Sequence, residues 1–231
     1  MLLLHGLGAT GEVWRGLTDG LDAAWIAPDL PGHGRSDTVG RYSLGRVAAE
    51  IAEVVPEDRP VVVLGHSLGG ALALTLASGW FRAPVEAVYG LGIKVRWSAG
   101  ELAKARETSQ RPPRTFATRE EAAERWLKVS GLHGLWWVGD VDAGVTETPE
   151  GWRIALDQAA FAVGGPDMPG LLAACRAPVT LAAGEHDPMC PAEHLRDLVD
   201  DPVILPGLGH NAHVEDPAAV RSLLKLGADR P

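Results

Sequence analysis

A serine hydroxyl is a poor nucleophile at neutral pH, and it needs a base to take its proton and a group to orient that base. Ser67 lies in the segment 65–69, Gly-His-Ser-Leu-Gly, between an apolar β-branched run and an apolar helical pattern. The flanking glycines remove side chains that would collide in a sharp strand-to-helix turn, which would project the hydroxyl above a sheet. The pattern predicts Ser67 as a nucleophile; its other interpretation is a helix-capping serine.

The base would come from a loop near the end of the chain. His210 lies in the segment 206–213, Pro-Gly-Leu-Gly-His-Asn-Ala-His, between the last predicted strand and the last predicted helix. The glycines before it would let the imidazole swing over a nucleophile. His213 is the alternative base, although it lies closer to the helix. A metal site made of His210, His213 and Glu215 is disfavoured, because no further ligand cluster accompanies them.

The carboxylate that orients the base is predicted to be Asp187, which follows an apolar strand pattern at 179–184. A carboxylate at a strand end can hold a histidine in the required tautomer and stabilise its charged form. Glu185 is the nearest alternative acid, and Asp187 has the alternative role of capping the turn before Pro188. The loop after Leu91, another place that could supply the acid, reads Gly-Ile-Lys-Val and contains none.

Acyl transfer also needs N–H donors for the developing oxyanion. The N–H of Leu68, at the start of the predicted helix, is one candidate, and the N–H of Leu7, in the loop after the first strand, is the other. His5 and His66 precede these two donors, and we expect them to connect the loops by hydrogen bonds rather than to react.

The elements that must position these residues follow from short apolar runs that alternate with helical patterns. This alternation is typical of an α/β protein with crossover units and a parallel sheet buried on both faces. Strands are predicted at 1–4, 24–27, 61–64, 85–91, 179–183 and 203–205. Helices are predicted at 12–21, 44–54, 67–78, 192–198 and 217–226.

The stretch 93–165 breaks this alternation, and we expect it to form a mostly helical cap over the carboxyl ends of the strands. The core would then consist of residues 1–92 and 166–231. Five of the eight tryptophans lie in the stretch. Trp126, Trp136 and Trp137 are the candidate substrate contacts, and the alternative is that they form the core of the cap itself.

Charge and composition disfavour several classes of partner. The net charge of −9 comes without a basic stripe, so neither nucleic acid nor an anionic membrane surface is expected as a partner. Cys175 and Cys190 form neither a disulfide framework nor a CxxC pair, which favours a reducing, cytoplasmic location. The apolar start of the chain lacks the basic flank of a signal peptide, and no segment is long enough to span a bilayer.

These motifs together resemble the α/β-hydrolase family, in its order and spacing, over essentially the full length of the chain. The resemblance implies the α/β-hydrolase fold and an esterase-like Ser-Asp-His enzyme with a helical cap. It is carried by segments 4–7 (Leu-His-Gly-Leu), 28–36 (Pro-Asp-Leu-Pro-Gly-His-Gly-Arg-Ser), 65–69, 184–187 (Gly-Glu-His-Asp) and 209–210 (Gly-His).

One departure from the family pattern shapes the expected sheet. Family members usually carry two further strands before the one that ends in His-Gly, and here the chain begins at that strand. We therefore expect a reduced parallel sheet of about six strands, flanked by helices, in the spatial order 2-1-3-4-5-6. The switch point between strands 1 and 3 would open the loop after strand 1 and the serine turn onto one crevice.

The expected reaction is cleavage of a small ester-type substrate through an acyl-enzyme on Ser67, with no metal or other cofactor. A lactonase or a carbon–carbon bond hydrolase could use the same three residues. The serine excludes the aspartate-nucleophile mechanism of similar dehalogenases and epoxide hydrolases. A small-ligand binding protein with little turnover is the alternative from a different class. The sequence makes no prediction of oligomeric state.

Overall fold

The computed structural model describes the backbone of residues 1–228 and the side chains of residues 1–224. Within that part, a five-stranded parallel sheet has the order β1-β2-β3-β6-β7, and β4 and β5 form a separate antiparallel hairpin. The strands are β1 (Leu2–Leu4), β2 (Val61–His66), β3 (Val85–Leu91), β4 (Val145–Thr148), β5 (Gly151–Ile154), β6 (Val179–Gly184) and β7 (Val203–Leu205).

Helices cover both faces of the parallel sheet. The α-helices are α1 (Arg15–Thr18), α2 (Leu44–Ala52), α3 (Leu68–Leu76), α4 (Ala99–Ser109), α5 (Arg119–Val129), α6 (Met168–Ala174), α7 (Ala192–Arg196), α8 (Ala212–Glu215) and α9 (Pro217–Ala228). Short 3₁₀ helices occur at Gly11–Trp14, Val138–Asp140 and Gln158–Val163.

The strands of the parallel sheet are mostly apolar because both faces of the sheet are largely buried, whereas Glu86 near the start of β3 is exposed. Leu2 and Leu4 pack into one hydrophobic cluster, whereas Leu3 packs into the other, as the two-residue period of a strand requires. All three are fully buried. The two clusters lie on opposite faces of the sheet and hold its strand ends in place.

The predicted order of the sheet is confirmed, but its second strand is shorter than expected. Residues 24–27 lie beside β1 at the sheet edge and form a single bridge, between Leu2 and Ile26. Ile26 exchanges two 2.9 Å backbone hydrogen bonds, with Leu3 and Met1. Pro28 has no N–H to continue the ladder, so the predicted strand is reduced to this pair.

The predicted helix at 12–21 is also divided. It is a 3₁₀ turn followed by α1, which ends at Thr18 two residues before Gly20. Glycine has low helix propensity, so a short helix ends readily there. The other predicted helices are present, with ends that differ by a few residues.

The insertion, defined here as residues 93–165, contributes no described strand to the parallel sheet. Helices α4 and α5 and the 3₁₀ helices at Val138–Asp140 and Gln158–Val163 cover less than half of it, and the hairpin of β4 and β5 was not expected, so the insertion is less helical than predicted. Trp126 of the insertion shares a buried cluster with Trp14 and Leu17. The division into cap and core stays a prediction, and residues 229–231 of the predicted core lie outside the described residues.

No helix within the described residues is long and apolar enough to cross a membrane.

Candidate active site

Ser67 lies in a strained turn between β2 and α3. Its φ of 51° and ψ of −114° fall in a region that non-glycine residues rarely adopt. The N–H of Ser67 donates to the carbonyl of Leu91 at the end of β3 (2.9 Å), and its carbonyl accepts from Gly70 (3.0 Å). The turn is therefore held by the neighbouring strand and by the helix it starts. Strain of this kind concentrates at functional sites.

Two glycines make this turn possible because backbone passes too close for any side chain. A Cβ on Gly65 would lie 2.2 Å from the carbonyl oxygen of Gly69. A Cβ on Gly69 would lie 2.1 Å from the carbonyl oxygen of Leu4 and 2.7 Å from that of His5. The Gly-x-Ser-x-Gly spacing is thus a steric requirement of packing β1 against the turn.

Asp187 and His210 meet across the ends of β6 and β7. His210 Nδ1–H donates to Asp187 Oδ2 over 2.8 Å, and the Asp187 side chain is fully buried. The other oxygen, Oδ1, accepts the backbone N–H groups of Met189 (2.8 Å) and Cys190 (3.0 Å). Because both carboxylate oxygens are occupied, Asp187 has one orientation, and it leaves Nε2 as the free nitrogen of His210.

The backbone around His210 is clamped from two further sides. The Glu215 carboxylate accepts the N–H groups on either side of the histidine, from Gly209 (2.6 Å) and from Asn211 (3.0 Å). His66 Nε2–H donates to the carbonyl of His210 itself (2.9 Å). Glu215 and His66, together called the His210 brace below, therefore hold the polar backbone groups around the imidazole.

In the sequence, Glu215 lies a few residues after His210. The only role that this position suggests for its carboxylate is that of a metal ligand, which is disfavoured. In the described residues no group of three or more His, Cys, Asp or Glu side chains has the arrangement of a metal site. The carboxylate instead performs a local capping role that side-chain type alone does not indicate.

The loop after β1 lies directly against the serine turn. A Cβ on Gly6 would lie 2.9 Å from His66 Nδ1 and 3.3 Å from Ser67 Cβ. His5 fixes the loop, since its Nδ1–H donates to the carbonyl of Gly6 and its Nε2 accepts the N–H of Leu30, both over 2.8 Å. The expected loop-connecting roles of His5 and His66 agree with these hydrogen bonds.

Leu7 and Leu68 both border the cavity above Ser67. Leu68 is the first residue of α3, so its N–H has no acceptor within the helix. The N–H of Leu7 donates no hydrogen bond within the described part of the chain. Both backbone donors are thus available to an oxygen atom near Ser67.

A layer of neutral histidines lies under this site. The ring centroid of His66 lies 4.7 Å from that of His210 and 4.4 Å from that of His213. Burial, reinforced by neighbouring His213 and His210, holds the pKa of His66 well below its ordinary value. Burial likewise lowers the pKa of His213 to about 3. The rings of His66 and His213 therefore stay uncharged at neutral pH.

Ser67 and His210 face the same cavity, which has a volume of about 570 Å³. Much of its wall is apolar, as in most pockets for small organic ligands. The apolar lining comes from the core and from the insertion, and includes Leu44, Ile93, Trp97, Leu102, Val129, Phe161, Val163 and Met189. Three charged side chains, Lys94, Glu101 and Arg106, also line it.

The three tryptophans predicted as substrate contacts do not line this cavity. Trp126 is buried in a hydrophobic cluster against Gly144. Trp136 is half-buried under the guanidinium of Arg15, and Trp137 is 69% exposed. Trp126 packs both within the insertion and against core residues such as Trp14, so it is neither a substrate contact nor part of a core that belongs to the insertion alone. Trp97 is the tryptophan that does line the cavity.

The two alternative residues weighed from the sequence lie elsewhere. His213 is buried with its ring 4.6 Å from that of Trp14. Glu185 Oε2 accepts the N–H of Gly207 over 2.9 Å, at the exposed side of the β6 and β7 ends. Neither contributes to the lining of the cavity.

The fold and the sequence together identify the family of the chain. The sequence profile of the alpha/beta hydrolase family matches residues 1–223. The chain therefore belongs to the alpha/beta hydrolase family.

Some curated relatives match a short segment of the chain at high identity, and another matches nearly the full chain at lower identity. The 30 kDa subunit of magnesium chelatase from Rhodobacter capsulatus is 43% identical over 97 residues, and lipase LipV from Mycobacterium tuberculosis is 40% identical over 81 residues. These matches cover 39% and 34% of this chain, and only 33% and 31% of the relatives, about a third of their length. A 2-succinyl-6-hydroxy-2,4-cyclohexadiene-1-carboxylate synthase from Enterobacter sp. (strain 638) is 26% identical over 97% of this chain and 89% of its own.

Among solved structures, E-2-(acetamidomethylene)succinate hydrolase superposes with a TM-score of 0.82. The match covers 100% of this chain and 91% of that one, at 21% identity, so it shows a shared fold. Besides lipase LipV, a pimeloyl-[acyl-carrier protein] methyl ester esterase from Aeromonas hydrophila is 42% identical over 81 residues, which are 33% of this chain and 31% of that relative.

Proposed function

We propose that this chain is a serine hydrolase that cleaves a carboxylic ester through an acyl-enzyme on Ser67. The observation that carries the proposal is the strained turn of Ser67 in the same cavity as His210, whose Nδ1 is held at 2.8 Å by the buried carboxylate of Asp187. Nucleophile, base and orienting acid are the three parts that serine acyl transfer needs.

In the proposed cycle, His210 Nε2 takes the Ser67 hydroxyl proton as Oγ attacks the ester carbonyl carbon. Collapse of the tetrahedral intermediate breaks the bond to the alcohol, which leaves with the proton from His210. A water molecule then attacks the acyl-enzyme, again with His210 as base, and releases the acid and Ser67. Asp187 holds the imidazole in the tautomer that keeps Nε2 free and stabilises the imidazolium.

The N–H groups of Leu7 and Leu68 would stabilise the oxyanion of both tetrahedral intermediates. Both residues line the cavity that contains Ser67, which supports this role, as does the absence of an acceptor for the Leu7 N–H in the described residues. Fixed N–H donors of this kind act without reorganisation and contribute about 2.7–4 kcal/mol each where they have been removed in other hydrolases.

No hydrogen bond joins Ser67 Oγ to His210 in the described part of the chain. Such contacts are often long before substrate binds and tighten in the complex. Both groups border the same cavity, so a substrate carbonyl placed against Leu7 and Leu68 would also reach the serine.

Steady-state hydrolysis of short p-nitrophenyl esters tests the proposal. We expect Ser67→Ala to lose nearly all turnover while its circular dichroism spectrum stays unchanged. Ser130→Ala is the matched control, because Ser130 also lines the cavity but its hydroxyl donates to the carbonyl of Trp126. Full activity in Ser67→Ala would overturn the proposal. An inactive wild-type protein that still binds the esters would indicate a ligand-binding protein instead.

A further inference from the structure

One wall of the cavity carries a charge that the chemistry at Ser67 does not use. Helix α4 presents Glu101, Leu102, Ala105 and Arg106 to the cavity. These positions are i, i+1, i+4 and i+5, which share one face of a helix. Glu101 and Arg106 are five residues apart, or about 7.5 Å along the helix axis.

The two acidic residues of α4 are already occupied. Glu101 Oε1 pairs with Lys94, and Glu101 Oε2 accepts the N–H and hydroxyl of Ser98 in a capping box. These contacts, led by Lys94, lower the pKa of Glu101 to about 2, so the carboxylate stays ionised. Glu107 Oε1 accepts from Arg111 over 2.7 Å.

Arg106 has no such partner. Its guanidinium makes no hydrogen bond and no ion pair among the described residues, whereas the other cation on the cavity, Lys94, is paired with Glu101. The segment 158–166, which packs against α4 and forms the facing wall, contains no charged side chain. The charge that remains unbalanced at the cavity is therefore positive, although the chain as a whole carries −9.

We propose that Arg106 binds an anionic group of the substrate, so that the preferred esters carry a carboxylate separated from the scissile ester by an apolar stem. This inference rests on the proposed ester hydrolysis at Ser67. The apolar walls would receive the stem, and the planar guanidinium would bind the carboxylate through two parallel hydrogen bonds. Because Arg106 is exposed, the pair should behave like other exposed ion pairs, which discriminate by up to about fivefold.

Matched substrate pairs test the inference. One series consists of mono-p-nitrophenyl esters of dicarboxylic acids from adipate to sebacate, and the other of p-nitrophenyl esters of monocarboxylic acids of the same lengths. At low ionic strength we expect wild-type kcat/KM to favour the anionic ester by up to about fivefold at the length that spans the cavity. The preference should shrink as salt is added.

Substitutions assign the preference to one side chain. In Arg106→Gln the ratio of anionic to neutral kcat/KM should fall to about one, and in Arg106→Glu it should fall below one. Lys104→Gln is the matched control, since it removes one positive charge from the same helix at a position that does not line the cavity. Its ratio should equal that of the wild type. A wild-type ratio at or below one at every length, or an unchanged ratio in Arg106→Gln, would overturn the inference.

Calorimetry separates this inference from the proposed function. Ser67→Ala should bind monomethyl suberate more tightly than dimethyl suberate, and Ser67→Ala/Arg106→Gln should not. If the esters are not turned over but this binding difference is present, the proposed function fails and the anion site stands. If the esters are turned over without any preference or binding difference, the anion site fails and the hydrolase stands.

Discussion

The floor of the cavity and its α4 wall are built in opposite ways. The floor is the part of the site where Ser67 and His210 face the cavity and the buried Asp187 lies behind His210; these residues are fixed by backbone hydrogen bonds, close glycine contacts and burial. Helix α4 has no buried residue; its two acidic side chains, Glu101 and Glu107, make ion pairs, whereas Arg106 makes none among the described residues. The reaction at Ser67 thus depends on a geometry that few substitutions preserve. Charged side chains on the α4 wall, in contrast, can be replaced with little loss of folding stability. The residues proposed to carry out the reaction and the residue proposed to select the substrate therefore lie in different parts of the cavity.

Substitution of Asp187, the acid that orients His210, is expected to have the largest effect on catalysis among the variants below. We expect Asp187→Asn to lower kcat by about 10⁴-fold, because an amide can donate to Nδ1 and leave the wrong nitrogen of His210 protonated. Glu185→Gln is the control, since that carboxylate binds only the N–H of Gly207, and its kcat should change by less than about threefold. Similar losses in both variants, measured with p-nitrophenyl esters, would remove the special role of Asp187.

The steric basis of the floor is tested by adding a single methyl group. Gly69→Ala places a Cβ 2.1 Å from the Leu4 carbonyl oxygen and should destabilise the fold by several kcal/mol. Gly45→Ala in α2 meets nothing within 4 Å and should be neutral or stabilising by up to about 1 kcal/mol. Chemical denaturation gives both values. A Gly69→Ala protein as stable as Gly45→Ala would contradict the close packing of β1 on the serine turn.

Because the chain contains buried, neutral histidines, we expect the stability of the fold to decrease in acid. Burial lowers the pKa of His33 to about 4 and of His213 to about 3, below the 6.5 of an unfolded chain. Below pH 6.5 the unfolded state therefore binds more protons, and stability present above that pH is lost as the pH falls toward 4 and 3. Each such histidine contributes a slope of up to about 1.4 kcal/mol per pH unit.

Denaturation between pH 6 and pH 5 measures this slope, because most carboxylates titrate below that window. His213→Phe keeps an aromatic ring against Trp14 but cannot bind a proton, and His213 Nδ1 has no hydrogen-bond partner among the described residues. In His213→Phe, the slope of the free energy of unfolding against pH should be lower than in the wild type by about 1.4 kcal/mol per pH unit, the contribution of one proton. An unchanged slope would mean that His213 is not the buried neutral group described above.

The His210 brace is expected to have a smaller effect on catalysis. Glu215→Gln keeps one acceptor oxygen but turns an amide N–H toward one of the two backbone donors, so the imidazole should be held less firmly. We expect kcat to fall by about tenfold with KM nearly unchanged, since positioning contributes to the transition state. Glu193→Gln, an exposed acid on α7, is the control. A purely structural role would lower the melting temperature of Glu215→Gln without this kcat change.

The floor could be predicted from the sequence because each of its parts is a local motif at the end of a strand. Parallel strands bring their carboxyl ends to one edge, so Ser67, Asp187 and His210 could be grouped without knowing any contact. Residues 24–27 were harder, since their apolar composition fits a strand but Pro28 limits the ladder to one bridge.

The insertion could not be predicted in the same way, because its packing depends on contacts distant in sequence. Trp126 and Trp137 have the same side chain, yet one is buried and the other largely exposed. The hairpin of β4 and β5 did leave a local signal, the turn residues Pro149 and Glu150 followed by Gly151 at the start of β5. No local pattern in the sequence marks Arg106, because an arginine on a polar helix is common. Its position beside the cavity becomes apparent only in the structure.

The most direct test of the central claim is intact-protein mass spectrometry after treatment with a fluorophosphonate, followed by peptide mapping. We predict one adduct, on Ser67, that is absent from Ser67→Ala, present in Ser130→Ala and strongly slowed in Asp187→Asn. A wild-type protein that stays unlabelled, or an adduct that persists in Ser67→Ala, would contradict the assignment of Ser67 as an activated nucleophile.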